Sequence, residues 1–174
     1  VVDHFHYDTK SSSDDHNVLV VPQPAALRSD VVNFFGGDGV LAVPKAVGQT
    51  LGNASPLINP VLKAPETSYI YNPKEEADVE PDFSSTGSQI ALVSVMQARN
   101  SARFTVLGSL EMLQDKWFDT TVQTPTGKSG MKTANKDFAR QLTEWTFKEV
   151  GVLKAGRIEH HQVLDAKKLV SNTT

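Results

Sequence analysis

The sequence predicts an α/β fold: a mixed β-sheet containing an antiparallel hairpin, backed by helices, with α+β as the alternative description. Three observations carry this. Residues 89–97 hold a nearly unbroken apolar run, with Ile90, Ala91, Leu92, Val93, Val95 and Met96, the pattern of a strand covered on both faces. A second apolar segment, residues 103–107, follows the polar link Ala98-Arg99-Asn100-Ser101, which has hairpin length and an Asn that tolerates the left-handed conformation. Residues 136–150 carry Phe138, Ala139, Leu142, Trp145 and Thr146 at helical spacing, a broad apolar face that must lie against the sheet. Burying Phe138, Leu142 and Trp145 stabilises that packing by roughly 2 kcal/mol each.

Along the chain, residues 1–7 alternate as a strand, residues 9–15 form a polar Ser/Asp loop, and residues 18–21 make a short β-branched strand ended by Pro22. A short helix is expected over residues 25–35. Gly36-Gly37-Asp38-Gly39 then turns the chain into a strand over residues 40–43, closed by Pro44. Residues 46–65 are interrupted by Gly48, Gly52, Pro56, Pro60 and Pro65, so they read as irregular with one strand near Val61. Residues 67–71 read as another strand and the acidic residues 74–86 as an exposed loop. After the hairpin, Gly108-Ser109 ends the strand, with Ser109 placed to cap a short helix over residues 110–116. Residues 120–133 read as a flexible loop. Asn135 is the expected cap of the main helix, Glu144 and Lys148 an exposed pair on it, and Gly151 its terminator.

A chain of 174 residues suits a single domain or domain fragment spanning 1–174. Apolar content of 39%, charged content of 21% and a net charge of −3 are ordinary for a globular protein and offer no general attraction for nucleic acid or anionic lipid. With no Cys, disulfides, thiolate metal ligands and a Cys nucleophile are excluded, although the compartment is not fixed by that. No signal peptide and no apolar run of membrane-spanning length is present, so the chain reads as an excised piece of a longer protein.

The motifs that imitate chemistry each have a plainer reading. Asp3, His4, His6, Asp8, His16 and the pair His160-His161 are the one metal-like set, since His4 and His6 project from one face of a strand. Adjacent His160 and His161 would point apart, and ordinary surface roles are the expected ones, so no metal is assigned. Gly127-Lys128-Ser129 imitates the tail of a phosphate-binding loop, yet position 122 is Val where the motif needs Gly. The Gly36–Gly39 cluster lacks dinucleotide spacing. Ser109 follows a strand where a hydrolase nucleophile would sit, but the G-x-S-x-G elbow is missing. The run Glu75, Glu76, Asp78, Glu80, Asp82 lacks calcium-loop spacing. No catalytic, cofactor-binding or metal-binding residue is therefore assigned. Asn53-Ala54-Ser55 and Asn172-Thr173-Thr174 are glycan acceptor sequons, the first followed by Pro56. Trp117 and Phe118 could form a partner-contact patch, with core packing the more ordinary use of such residues.

The stretch 96–110, read with residues 135–149 and Gly151-Val152-Leu153-Lys154, resembles one eukaryotic family of oligosaccharyltransferase accessory subunits, known for wheat-germ-agglutinin binding. The opening Val1-Val2-Asp3-His4-Phe5-His6-Tyr7-Asp8 and the pair His160-His161 are also similar to it, while residues 14–85 match around Thr67-Ser68-Tyr69. That resemblance implies a flavodoxin-like or amidotransferase-like relative, also seen in an intraflagellar transport protein, without the chemistry of those folds. It implies a noncatalytic luminal piece of a complex that transfers a glycan from dolichyl diphosphate to Asn in Asn-X-Ser/Thr sequons. It further implies other subunits of that complex as partners, no cofactor, and the endoplasmic reticulum lumen as location. Membrane attachment would come through a part absent from this chain. Two alternatives are a general interaction module and a degenerate hydrolase or amidotransferase using Ser109 with a nearby His.

Overall fold

The computed structural model describes residues 1–11, 16–24, 35–52, 55–70, 86–127, 129–152, 160–165 and 168–172. Strand β1 (Val18–Pro22) pairs antiparallel with β2 (Val40–Pro44), in a register that sets Val18 opposite Pro44 and Pro22 opposite Val40. Each Pro thus stands at a ladder end, where its missing N–H costs least. The ladder is buried on both faces. Leu19, Val21, Leu41 and Val43 enter the main core, while Val18, Val20 and Ala42 join Trp117 and Val122 in a second, smaller cluster. Period-two alternation splits one ribbon between two cores.

The longest strand, β5 (Ile90–Gln97), is the centre of a four-stranded sheet. On one side lies β4 (Ile58–Lys63); on the other, β3 (Gln49–Thr50) and β6 (Arg103–Leu107) pair with successive parts of it, all antiparallel. The expected hairpin is therefore present, with Ser101 at φ 65° in its turn. At its end the chain passes so close to Val47 that a Cβ on Gly108 would lie 2.2 Å from the Val47 carbonyl oxygen, so only Gly fits. Strands β7 (Thr121–Val122) and β8 (Met131–Lys132) form a short hairpin, and helix α1 (Asn135–Thr146) buries Phe138, Leu142 and Trp145 as expected. Finally β9 (His160–Asp165) and β10 (Lys168–Asn172) pair antiparallel with each other. The described architecture is mostly sheet with one α-helix, consistent with a mixed α/β class; its strand pairs are antiparallel, with one isolated parallel bridge, Val40 to Thr133.

Several elements differ from expectation, each for a local reason. Residues 1–7 are not a strand: they make isolated bridges at Val2 and Tyr7, because Asp3 Oδ1 accepts the N–H groups of Phe5 and His6 and folds the backbone into a turn. Residues 67–70 reduce to Tyr69 bridging Val2 and Thr86. The helix expected at 25–35 and the loop at 74–86 fall largely outside the described residues. In place of a helix over 110–116 stand two 3₁₀ turns, Glu111–Leu113 and Asp115–Trp117, and Ser109 does not cap them, since its hydroxyl donates to the Pro44 carbonyl. Part of the expected loop 120–133 is the β7–β8 hairpin.

The main helix is shorter than periodicity suggests and is held at both ends by tertiary bonds. Asn135 is its first residue rather than its cap. The buried Asn135 side chain accepts from the Ala42 N–H at 2.8 Å and donates to the Ala42 and Met112 carbonyls at 2.8 and 2.9 Å, continuing the edge of β2 as a third strand would. At the far end, Arg103 Nη1 donates to the Trp145 and Val150 carbonyls, both at 2.7 Å, Nη2 donates to the Gly151 carbonyl, and the guanidinium lies 4.7 Å from the centre of the Trp145 ring. The chain reverses at Lys148, φ 63°, and Gly151, φ 68°, so Gly151 serves the turn beyond the helix rather than its last residue. Glu144 pairs with Arg140 at 3.0 Å, one turn back, and not with Lys148.

An exposed Asn cap is worth about 1 kcal/mol. A buried Asn satisfying three backbone groups leaves those groups unpaired when truncated, so Asn135→Ala is expected to destabilise the fold by about 3 kcal/mol or more in urea unfolding. A loss near 1 kcal/mol would return Asn135 to an ordinary capping role.

Candidate functional site

The described surface offers three places where function could reside, and the chemistry of each follows from strand alternation or turn geometry. The first is the outward face of the central sheet. Along β6, Arg103 and Thr105 turn toward α1, where Thr105 Oγ1 lies 2.6 Å from Thr146 Oγ1. Phe104 and Val106 therefore turn away, 57% and 38% exposed. Cross-strand register places Ile58, Met96 and Phe104 in one row and Pro60, Ser94 and Val106 in the next. The polar members are internally satisfied: Ser94 Oγ donates to Gln49 Oε1 at 2.5 Å, and Gln49 Nε2 reaches the Leu92 and Val106 carbonyls at 3.3 Å. These two rows carry no charged side chain. The strand expected to be covered on both faces is covered only from Ile90 to Val95; at Met96 one face opens.

The second place is the N-terminal turn. Asp3 is fully buried, and its carboxylate accepts from the Phe5 and His6 N–H groups at 2.7 Å and from the hydroxyls of Thr67 at 2.6 Å and Ser68 at 2.8 Å. Burial by itself would raise the Asp3 carboxyl; the four hydrogen bonds together outweigh it and hold the group below its ordinary 3.8. His6 Nδ1 lies 3.1 Å from Thr67 Oγ1 and 3.4 Å from Asp3 Oδ1, an arrangement with the membership of a catalytic triad but the wrong wiring. The Thr67 hydroxyl proton is committed to Asp3, so no base activates that oxygen. Asp8, also buried, accepts from Ser11 and from the Gln123 N–H at 2.8 Å, tying the turn to the strand end after β7. On the same turn His4, His16, Tyr7 and Tyr69 form a cluster of rings, with His4 Nδ1 facing His16 Nδ1 at 2.5 Å. Among the described residues no group of three or more His, Asp or Glu is placed to hold a metal ion.

The third place is a groove of about 800 Å³ bounded by Thr50, Ser55, Lys63, Ser88 and Gln89. Lys63 is its one titratable described wall residue, so no acid–base pair stands among the described walls. Ser109 is buried, with its hydroxyl spent on Pro44, and no described His bonds to it.

Comparison with known proteins gives the family. The model of the family described as OST48, N-terminal domain, matches residues 1–149. The chain belongs to that family. It is also 34% identical over 172 residues to the dolichyl-diphosphooligosaccharide–protein glycosyltransferase 48 kDa subunit of Danio rerio, covering 94% of this chain and 36% of that protein. The subunits of the same name from Arabidopsis thaliana and Caenorhabditis elegans are 33% and 32% identical, covering 94% and 93% of this chain and 37% and 36% of those proteins. The chain thus spans little more than a third of the length of these curated relatives.

The residues singled out by sequence scatter rather than converge. Trp117 is buried in the small cluster, its indole N–H without an acceptor, and Phe118 beside it is half-buried. Asn53, Lys128 and the acidic run lie outside the described residues, as does the side chain of Asn172. Gly36 is held by Gln23 and Gln141, a locked turn. What the sequence reading missed is the Phe104/Val106 face; the alternation in Arg103-Phe104-Thr105-Val106 was the signal.

The lowered Asp3 group fixes a sign. A carboxyl depressed in the folded state contributes stability that is complete above its unfolded value near 3.8 and lost as pH falls through it toward the lower folded value. Unfolding midpoints measured downward from about pH 6 should fall most steeply below about pH 4, and Asp3→Asn should flatten that limb while lowering stability at neutral pH.

Proposed function

We propose that this chain is a noncatalytic luminal part of an oligosaccharyltransferase subunit, supporting en bloc transfer of a glycan from dolichyl diphosphate to Asn in Asn-X-Ser/Thr sequons. Membership in the OST48 family and relatives named as a 48 kDa subunit of that glycosyltransferase support it. Residues 1–174 act in this reading as one domain or domain fragment, in the endoplasmic reticulum lumen, with membrane attachment through a part outside this chain. Among the described residues no helix is long and apolar enough to cross a membrane. Its partners are other subunits of the complex. The kinship to flavodoxin-like or amidotransferase-like folds belongs to the same proposal and rests on the family resemblance.

The single observation that carries a scaffold role is the uncharged apolar face of Ile58, Met96, Phe104 and Val106, because contiguous exposed apolar surface marks an association site on a folded domain. Trp117 and Phe118 are a second proposed contact, in which the buried Trp117 supports the more accessible Phe118. Asn53 is proposed as a glycan acceptor; a mobility shift on glycosidase treatment that Asn53→Gln abolishes would support it, and an unchanged shift would end it.

Full-length protein carrying Phe104→Lys and Val106→Thr should fold with a stability change within about 0.5 kcal/mol, since both sites are solvent-facing. Purified in mild detergent, it should nevertheless lose most of its copurifying subunits and the glycan transfer to a sequon peptide that accompanies them. Intact copurification with both substitutions would refute the face as the docking surface, and Phe118→Ala would then test the other contact.

A further inference from the structure

We infer that the His4–His16 contact is a protonation-sensitive clasp on the N-terminal turn. Two ring nitrogens facing each other at 2.5 Å hold a single proton between them, one imidazole donating and the other accepting. Only a pair with at least one neutral ring can do this. Placing a proton on both nitrogens sets two N–H groups and two positive charges against each other, and the contact must open.

The surroundings make opening local and one-directional. Tyr69, fixed by backbone bonds to Val2 at 3.0 and 3.1 Å, holds His4 Nε2 at 2.9 Å through its hydroxyl. Tyr7 stacks on His16 with ring centres 3.9 Å apart, and His16 is held in a left-handed conformation at φ 49°. That backbone costs energy in a non-glycine residue and persists while side-chain contacts sustain it. Among the described residues, the titratable groups in contact with the pair are Tyr7 and Tyr69, with Asp3 and His6 the adjoining ones along the turn. The Asp3 carboxylate is already filled by four donors beside His6, and Asp8 by Ser11 and Gln123, so among the described residues no carboxylate touches either ring of the pair. Among the described residues nothing compensates a second charge. Acidification therefore releases His16, just ahead of β1, from His4, while the bond of the Lys45 N–H to the Asn17 carbonyl and the backbone bonds of Asp8 and Val20 to the opposing segment stay.

Hydrogen–deuterium exchange of the full-length protein in mild detergent with EDTA tests this, corrected for intrinsic exchange. From about pH 7.5 to about pH 5.5, protection of peptides covering residues 4–7 and 16–17 should fall by about tenfold. Peptides of β5 and α1 should not change. His16→Gln and His4→Gln should each remove the pH dependence; His4 is exposed and His16 half-buried, and unchanged β5 and α1 exchange would confirm that both variants fold. Protection unaltered by pH in the unmodified protein overturns the clasp. A pH response that survives in both variants also overturns it, and assigns the effect to His6 on Asp3.

Discussion

Helix α1 can face the sheet only because its two ends are closed by residues that belong to the packing rather than to the helix. An α-helix leaves four N–H and four C=O groups without internal partners at its ends, and burying such an end without partners costs several kcal/mol. Arg103 supplies the C-terminal side: one guanidinium reaches the Trp145, Val150 and Gly151 carbonyls and covers the Trp145 ring. Asn135 ties the N-terminal side to the free edge of β2 and to Met112. With both ends fixed, Phe138, Leu142 and Trp145 face a core that includes residues of β1, β2, β4 and β5. The hairpin thereby becomes the element that orients the helix, and its opposite face is left for other contacts.

The N-terminal turn has a comparable logic on a smaller scale. Two buried carboxylates replace regular strand pairing, Asp3 joining residues 5, 6, 67 and 68 and Asp8 joining residues 11 and 123. Segments far apart in sequence are gathered by acceptors that are cheap to bury because they are fully hydrogen-bonded. This makes the region sensitive to acid through the Asp3 carboxylate, whose contribution is lost at low pH. It also explains why a triad-like membership of Asp, His and Thr is structural here.

Association on a sheet face suits a chain whose family is named for a subunit of a larger glycosyltransferase. The proposed recognition through Phe104, Val106, Met96 and Ile58 needs no charge, only an apolar surface presented by paired strands. The absence of charge in those rows is not a property of composition, since the whole chain is 21% charged. It arises from the way β6 divides its side chains, with Arg103 sent inward to the helix end and the apolar residues outward, the reverse of the usual assignment.

Local pattern alone determined β1, β2, the strand near Val61, the central hairpin and the buried face of the main helix, because apolar periodicity and turn chemistry act within a few residues. The family was also legible in the hairpin and helix segments. Tertiary structure decided the rest. Residues 1–7 alternate like a strand, yet Asp3 bends them once Thr67 and Ser68 are brought to it. Asn135 reads as a cap until β2 arrives beside it, and Gly108-Ser109 reads as a helix start until Val47 and Pro44 cross there. The alternation over residues 103–106 left open which side faced out, and that was settled when Arg103 and Thr105 met α1 and Ile58 came beside Met96. Such long-range hydrogen bonds outweigh local preference because a buried polar group without a partner costs more than any single residue's propensity.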